Sequence, residues 1–247
     1  MNSMEKYGID SKNINISGNQ TIGRIVSRSH DTYKAITETG EINTEISDSF
    51  KYEVKTMSDY PVVGDFVIID IKKGFNYISE IINRKNQLMR KGKWDANSDD
   101  LIASNIDTIF VLMSLNNDFH TEKLKAYISI SSNINAETIV ILNKGDLIPE
   151  KTLDEAKDVT KGMKVIISSD ISKEKNKIKD FIHEGKTVVF LGTEHDKIKL
   201  INKLFDNINL ENQLTLLPGG GILINTPEMR ELGIEGFHIT EKFADIR

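Results

Sequence analysis

From Thr21 the chain alternates apolar and polar residues in short runs: TIGRIVSRS, DTYKAITETG, EINTEISDS, then PVVGDFVIIDI and NYISEIIN. Gly, Asp, Asn or Pro bounds each run, and a period of two over several short segments predicts a small antiparallel barrel or sandwich. Five such strands over residues 20–83 fit an OB-like β-barrel, a fold often used to hold nucleic-acid strands. Residues 1–19, rich in Asn and Ser, read as a loose lead-in. Beyond residue 104 the period changes. Asp107–Ser114 (DTIFVLMS) is almost continuously apolar, as a strand covered on both faces of a parallel sheet must be. A helix with Leu124, Tyr127 and Ile128 on one face follows, then a strand at Thr138–Leu142, a helical stretch from Thr152 to Val159 and a strand at Lys164–Ile167. Next come a helix carrying Ile178, Phe181 and Ile182, a strand–turn–helix from Thr187 to Phe205, and short strands at Leu214–Leu217 and Gly221–Ile224. Alternating strands and helices predict a doubly wound α/β domain over residues 105–247, joined to the barrel by a linker at 84–104.

Composition narrows the chemistry. With no cysteine, disulfides and thiolate-bound metals are excluded, and His30, His120, His183, His195 and His238 lack ligand spacing, so no metal-ligating residue is assigned and no zinc is expected. No run of about 18 apolar residues and no basic-then-apolar leader occurs, so no membrane association is expected and a cytoplasmic location is the default. The net charge of −5 argues against a general nucleic-acid coat. Within the linker, however, Arg84, Lys85, Arg90, Lys91 and Lys93 form a basic run with no acidic residue among them. Such a run is either a solvated face or a phosphate-contacting patch, and Arg84, Lys85, Arg90 and Lys91 are the RNA-binding candidates.

Ligands of doubly wound sheets sit at the carboxyl ends of the strands, so the loops there carry the information. After TIVIL comes Asn143-Lys144-Gly145-Asp146, matching N-K-x-D: the Asp accepts from two adjacent guanine N–H donors, the Asn meets the other edge and the Lys stem covers the ring. A chance match is not rare in a chain so rich in these residues, and its place at a strand end is what gives it weight. After KVII comes Ser168-Ser169-Asp170-Ile171, with Ser169 and Asp170 beside the guanine if the loop is more than a turn. After TVVFL comes Gly192, where a phosphate loop would begin; its Lys would be Lys197. After GILI comes Asn225-Thr226-Pro227-Glu228, where D-T-P-G would support magnesium and the terminal phosphate. In the usual order the phosphate loop comes first; here N-K-x-D precedes both other loops, as in a circular permutation.

A barrel followed by a permuted GTPase domain resembles the ribosome small subunit-dependent GTPases, known as RsgA or YjeQ. The likeness runs from about residue 20 to 246 and includes YPVVGDFVIID, INRKNQLMRK, IASNIDTIFVLMSLNNDF, VILNKGDL, TVVFLG, LLPGGGILINTP and EMRELGI. It implies an OB-like barrel with a circularly permuted P-loop GTPase-like domain, guanine nucleotide as ligand, and the small ribosomal subunit and its RNA as partners. Members also use magnesium and carry a C-terminal zinc domain, which would begin where FADIR ends this sequence. The phosphate side departs from the pattern. Counting back from Leu200-Ile201-Asn202, Ile198 replaces the magnesium-ligating Ser or Thr, Asp196 replaces a glycine, and the loop is one residue short. Asn225 and Glu228 replace the Asp and Gly of the later loop, and only residues 203–215 remain where the family has a long switch loop with its catalytic histidine.

These changes predict a pseudo-GTPase: base-side residues Asn143, Lys144, Asp146 and Ser169 kept, no catalytic residue, GTP or GDP bound weakly and magnesium unsupported. A lysine in a lysine-rich helix start faces solvent as readily as it serves a ligand, so Lys197 is an even choice between the two. The helix after Gly192 is expected to bury Ile198, Ile201 and Phe205. Two alternatives stand beside this: a working GTPase stimulated by the ribosomal subunit, and an RNA-binding module in which the α/β domain is only scaffold. A monomer is expected.

Overall fold

The computed structural model describes residues 4–9, 14–91, 99–116, 119–143, 149–206, 208–210 and 213–226. Five strands, Gln20–Ser29 (β1), Thr32–Thr37 (β2), Gly40–Ile46 (β3), Phe66–Lys72 (β4) and Phe75–Ile81 (β5), close into a barrel in the order β1-β2-β3-β5-β4. The alternation seen in the sequence is the cause: Tyr33 and Ala35 of β2 point inward and meet Ile25, Ile46, Val67, Ile69 and Ile78. A short helix, Asp48–Glu53 (α1), fills the connection to β4, and its amide at Phe50 donates to the Ser47 hydroxyl at 3.2 Å. The sequence reading left this helix out. The lead-in is also less loose than expected, because Met4 and Ile9 are buried against Ile22.

The linker contains regular structure. Gln87–Lys91 (β6) and Asp99–Ser104 (β7) form an antiparallel ribbon whose register sets Arg90 opposite Asp100 and Lys91 opposite Asp99.

The second domain has strands Thr108–Ser114 (β8), Glu137–Asn143 (β9), Lys164–Ser168 (β10), Thr187–Leu191 (β11), Leu214–Leu216 (β12) and Ile222–Ile224 (β13). They lie in the order β10-β9-β8-β11-β13-β12, parallel throughout except β12. Helices Thr121–Ser132 (α2), Glu150–Val159 (α3), Lys175–Lys179 (α4) and Glu194–Leu204 (α5) accompany the sheet. All seven residues of β8 and all five of β11 are buried, which is why both read as unbroken apolar runs. Phe110 and Phe190 stack at 4.8 Å between centroids. Helix α4 ends at Lys179, so Phe181 and Ile182 pack from a turn beyond it rather than from the helix the sequence suggested.

Polar groups tie the barrel to the sheet. Arg24 of β1 is fully buried; its Nε donates to the Gly64 carbonyl, one terminal nitrogen to the Tyr7 carbonyl at 2.7 Å, and the other to the Thr187 hydroxyl of β11 at 2.7 Å. Burial lowers its pKa to about 10, against the opposing pull of Asp107 and Asp65. Beside it, buried Asp65 takes a two-pronged ion pair from Arg84 at 2.8 and 2.7 Å and a hydrogen bond from Ser104. Gly64 has φ +96°, and a Cβ there would lie 2.4 Å from the Ser104 carbonyl oxygen, so the crossing of the two segments requires glycine.

Candidate functional site

The carboxyl ends of β8, β9, β10, β11 and β13 converge where a doubly wound sheet binds ligands. The turn after β11 packs directly on β8: a Cβ on Gly192 would stand 2.9 Å from the Leu112 carbonyl oxygen. Gly192 therefore serves the close approach of two strands, and this role needs no ligand. Helix α5 starts at once. Its cap is a reciprocal pair, the Asp196 amide donating to the Thr193 hydroxyl at 3.2 Å and that hydroxyl donating to the Asp196 carboxylate at 2.9 Å.

Lys197 does not face solvent. Its side chain is 3% exposed, with the ammonium 2.7 Å from Glu194 one turn earlier and donating at 2.6 Å to the carbonyl of Thr226, beyond β13. Thr226 is fixed in turn by its hydroxyl, which donates to the Phe190 carbonyl. A phosphate entering this turn would have to displace Glu194 from the ammonium and meet Asp196 at the helix cap. Ile198, expected to be buried, is 39% exposed, because the α5 stripe facing the sheet runs through Lys197, Leu200, Ile201 and Leu204. The register correction is one residue: Lys197, not Ile198, takes the inward position. Phe205 is buried as expected, just past the helix.

On the base side, Asn143 ends β9, and its carbonyl accepts from the Leu115 amide. Lys144 and Asp146 lie outside the described residues, as do Pro227 and Glu228. Ser169 is exposed. Asp170 opens a 3-10 turn by accepting from the Ser172 amide at 3.0 Å and lies 3.4 Å from Lys203; the Ser172 bonds first, then Lys203, hold its carboxyl below the usual carboxylate range. Between Asn143, Asp196 and Lys203 the free volume is about 20 Å³. Asn225 donates to the Leu210 carbonyl, and Thr215 lies within strand β12. Among the described residues no group of acidic or histidine side chains could hold a metal ion.

The RNA-binding candidates separate. The structure turns Arg84 inward: all three guanidinium nitrogens are engaged by Asp65, Ser58 and Tyr60. Counting charges along the run could not show this, since burial depends on Asp65, far from Arg84 in the chain. Lys85 is half-exposed and bonds Asp107 at 2.7 Å. The side chains of Arg90 and Lys91 lie outside the described residues. The residues the sequence reading missed are Arg24 and Asp65; a charged residue inside an apolar alternation, as in TIGRIVS, was the available signal.

A barrel leading into a doubly wound domain, with N-K-x-D ahead of the glycine turn, defines a circularly permuted GTPase-like protein. The family model for the RsgA GTPase matches residues 81–213. "Small ribosomal subunit biogenesis GTPase RsgA 2" of Lactiplantibacillus plantarum is 29% identical over 98% of this chain and 75% of its own length. The corresponding RsgA 1 of Listeria innocua is 30% identical over 94% of this chain and 72% of its own. Two solved structures share the fold: YjeQ of Thermotoga maritima, with TM-score 0.64 and 20% identity over 85% of this chain and 75% of that one, and YloQ, described as a circularly permuted GTPase, with TM-score 0.61 and 22% identity over 91% and 76%. The chain belongs to the RsgA GTPase family.

Proposed function

We propose that this chain is an RsgA-type factor in small ribosomal subunit biogenesis whose nucleotide site is degenerate. It binds guanine nucleotide weakly through Asn143, Lys144, Asp146 and Ser169, and it does not hydrolyse GTP. Residues 20–83 form its barrel, 84–104 the connection and 105–247 the GTPase-like part, and it acts as a cytoplasmic monomer on the small subunit and its RNA. The observation that carries the reading is the anion already seated on Lys197, namely the Glu194 carboxylate at 2.7 Å. Lys197 is the cation that a phosphate loop offers to the β- and γ-phosphates. Like charges 4 Å apart repel by about 4 kcal/mol at an effective dielectric of 20, whereas a helix N-terminus attracts an anion by about 0.3–2 kcal/mol, so Glu194 and Asp196 together oppose a phosphate more strongly than the helix favours it. With Ile198 in place of a hydroxyl, the donor set does not fit magnesium either.

Two measurements test this on the full chain. GTP should bind no more tightly than guanosine, because the phosphates gain nothing and meet Glu194 and Asp196. Phosphate release from GTP should stay at the buffer rate with or without purified small subunits, while the chain still co-sediments with them. Magnesium-dependent submicromolar GTP binding, or release stimulated by subunits, would overturn the degenerate site; failure to co-sediment would overturn the partner.

A further inference from the structure

A groove of about 560 Å³ lies between α1 and the end of β5. Phe50, Val54 and Ile81 give it an apolar floor, and the carboxylates of Glu53, Asp59 and Glu80 stand along it. Asp59 accepts hydrogen bonds from the Thr56 and Lys55 amides, which hold it below the usual carboxylate range and therefore charged. Glu53 and Glu80 are exposed and have no ion-pair partner among the described residues. Among the described residues the one cation lining the groove, Arg84, is neutralised by Asp65. On the α1 side Tyr52 is 90% and Met57 62% exposed, residue types enriched where proteins meet proteins.

A second, independent feature lies along the same wall. Strand β5 pairs with β4 except at a bulge on Ser79, but with β3 only at Tyr77 and Ile78, where the Ser47 amide closes the pairing, so Ser79, Glu80 and Ile81 have no strand on that side among the described residues. An unpaired strand edge takes up an extended peptide by main-chain hydrogen bonds, with alternate side chains entering the adjoining pockets. At this groove the charge opposes the other common ligand of such barrels, a nucleic-acid strand. Residues 20–83 carry seven basic and ten acidic side chains, a net of −3, and three of the acidic ones line this groove, where a phosphate backbone would meet repulsion.

We infer that the groove docks an extended segment of a basic protein, with Lys or Arg alternating with apolar residues. The cations meet Glu53, Asp59 and Glu80, the apolar residues cover Phe50, Val54 and Ile81, and the backbone pairs with the free edge of β5. This site is separate from the α5 loop and does not depend on the nucleotide reading.

The test is fluorescence anisotropy of the full chain with a labelled peptide of alternating Arg and Leu. Glu53→Lys with Glu80→Lys should weaken binding at least about tenfold, whereas Asp31→Lys with Glu155→Lys, which changes net charge equally elsewhere, should change it less than about twofold. All four positions are exposed, and matching melting temperatures would establish that every variant is folded. Methylating alternate peptide amides should weaken binding further. Equal loss in both pairs of variants overturns the site, as does displacement of the peptide by single-stranded RNA at lower concentration than by unlabelled peptide. Unchanged affinity of the methylated peptide overturns the strand pairing.

Discussion

Replacing Glu194 by Ala should destabilise the protein more than replacing Lys197 by Met, although each change breaks the same ion pair. At 2.7 Å the gross attraction is about 6 kcal/mol at an effective dielectric of 20. Most of that does not survive: the Glu194 side chain is 37% exposed, so water screens it, and desolvating Lys197 offsets much of the rest. A net coupling of about 1–3 kcal/mol is the expectation for a half-buried pair with a second acceptor. The asymmetry follows from exposure. Without Glu194 the ammonium stays buried with, among the described residues, the Thr226 carbonyl as its one partner, at a cost of about 2–3 kcal/mol, whereas without the ammonium Glu194 can turn to solvent and a buried Met packs against Leu200 and Ile201 at a cost under about 1 kcal/mol. Urea midpoints of the wild type, Glu194→Ala, Lys197→Met and the double variant, at unchanged m, give the cycle. A coupling below about 0.5 kcal/mol, or Lys197→Met costing as much as Glu194→Ala, would show that the pair does not hold the loop.

Arg24→Met keeps the bulk but takes the guanidinium donor from the Tyr7 carbonyl and the Thr187 hydroxyl, while the Gly64 carbonyl keeps Asn105, and should cost about 2–4 kcal/mol in denaturant unfolding. Gly192→Ala presses a Cβ onto the Leu112 carbonyl and should cost about 1–3 kcal/mol, read as a lower melting temperature. Asp107 is pulled in two directions: burial raises its pKa, but Lys85, the Thr187 amide and Lys186 outweigh burial and leave it lowered. Its stabilisation is therefore complete above the ordinary carboxylate range and is lost as pH falls through the lowered value; Asp107→Asn should be less stable at neutral pH and lose less on acidification, measured by thermal melts across pH.

The barrel and the sheet were legible because their causes are local. The alternation of TYKAIT and the unbroken TIFVLMS each state which faces are covered, and the order of N-K-x-D, the glycine turn and INTP carries the permutation. The interior polar groups were not legible. Arg84 and Lys85 are neighbours in a basic run, yet one closes on Asp65 in the interior and the other reaches Asp107 at the surface, a division that only tertiary contact makes. The same limit explains Lys197 and Ile198. Helical spacing cannot tell which of two adjacent residues faces the sheet when a lysine can be buried by a carboxylate one turn back and a carbonyl from another strand. Short elements failed for a further reason: six residues of α1 and five of α4 are too few for a period to register.

Strand β1 is fastened at two points: Arg24 reaches Thr187 on β11, and Arg28, four residues further on, exchanges bonds with Gln213 just before β12, its amide donating to the Gln213 side-chain oxygen and its carbonyl accepting from the side-chain nitrogen. A single fastening is a pivot about which two bodies swivel. Two, spaced along one strand, oppose that swivel. Turning the barrel against the sheet would therefore break bonds at both points, one of them on the strand that Gly192 follows.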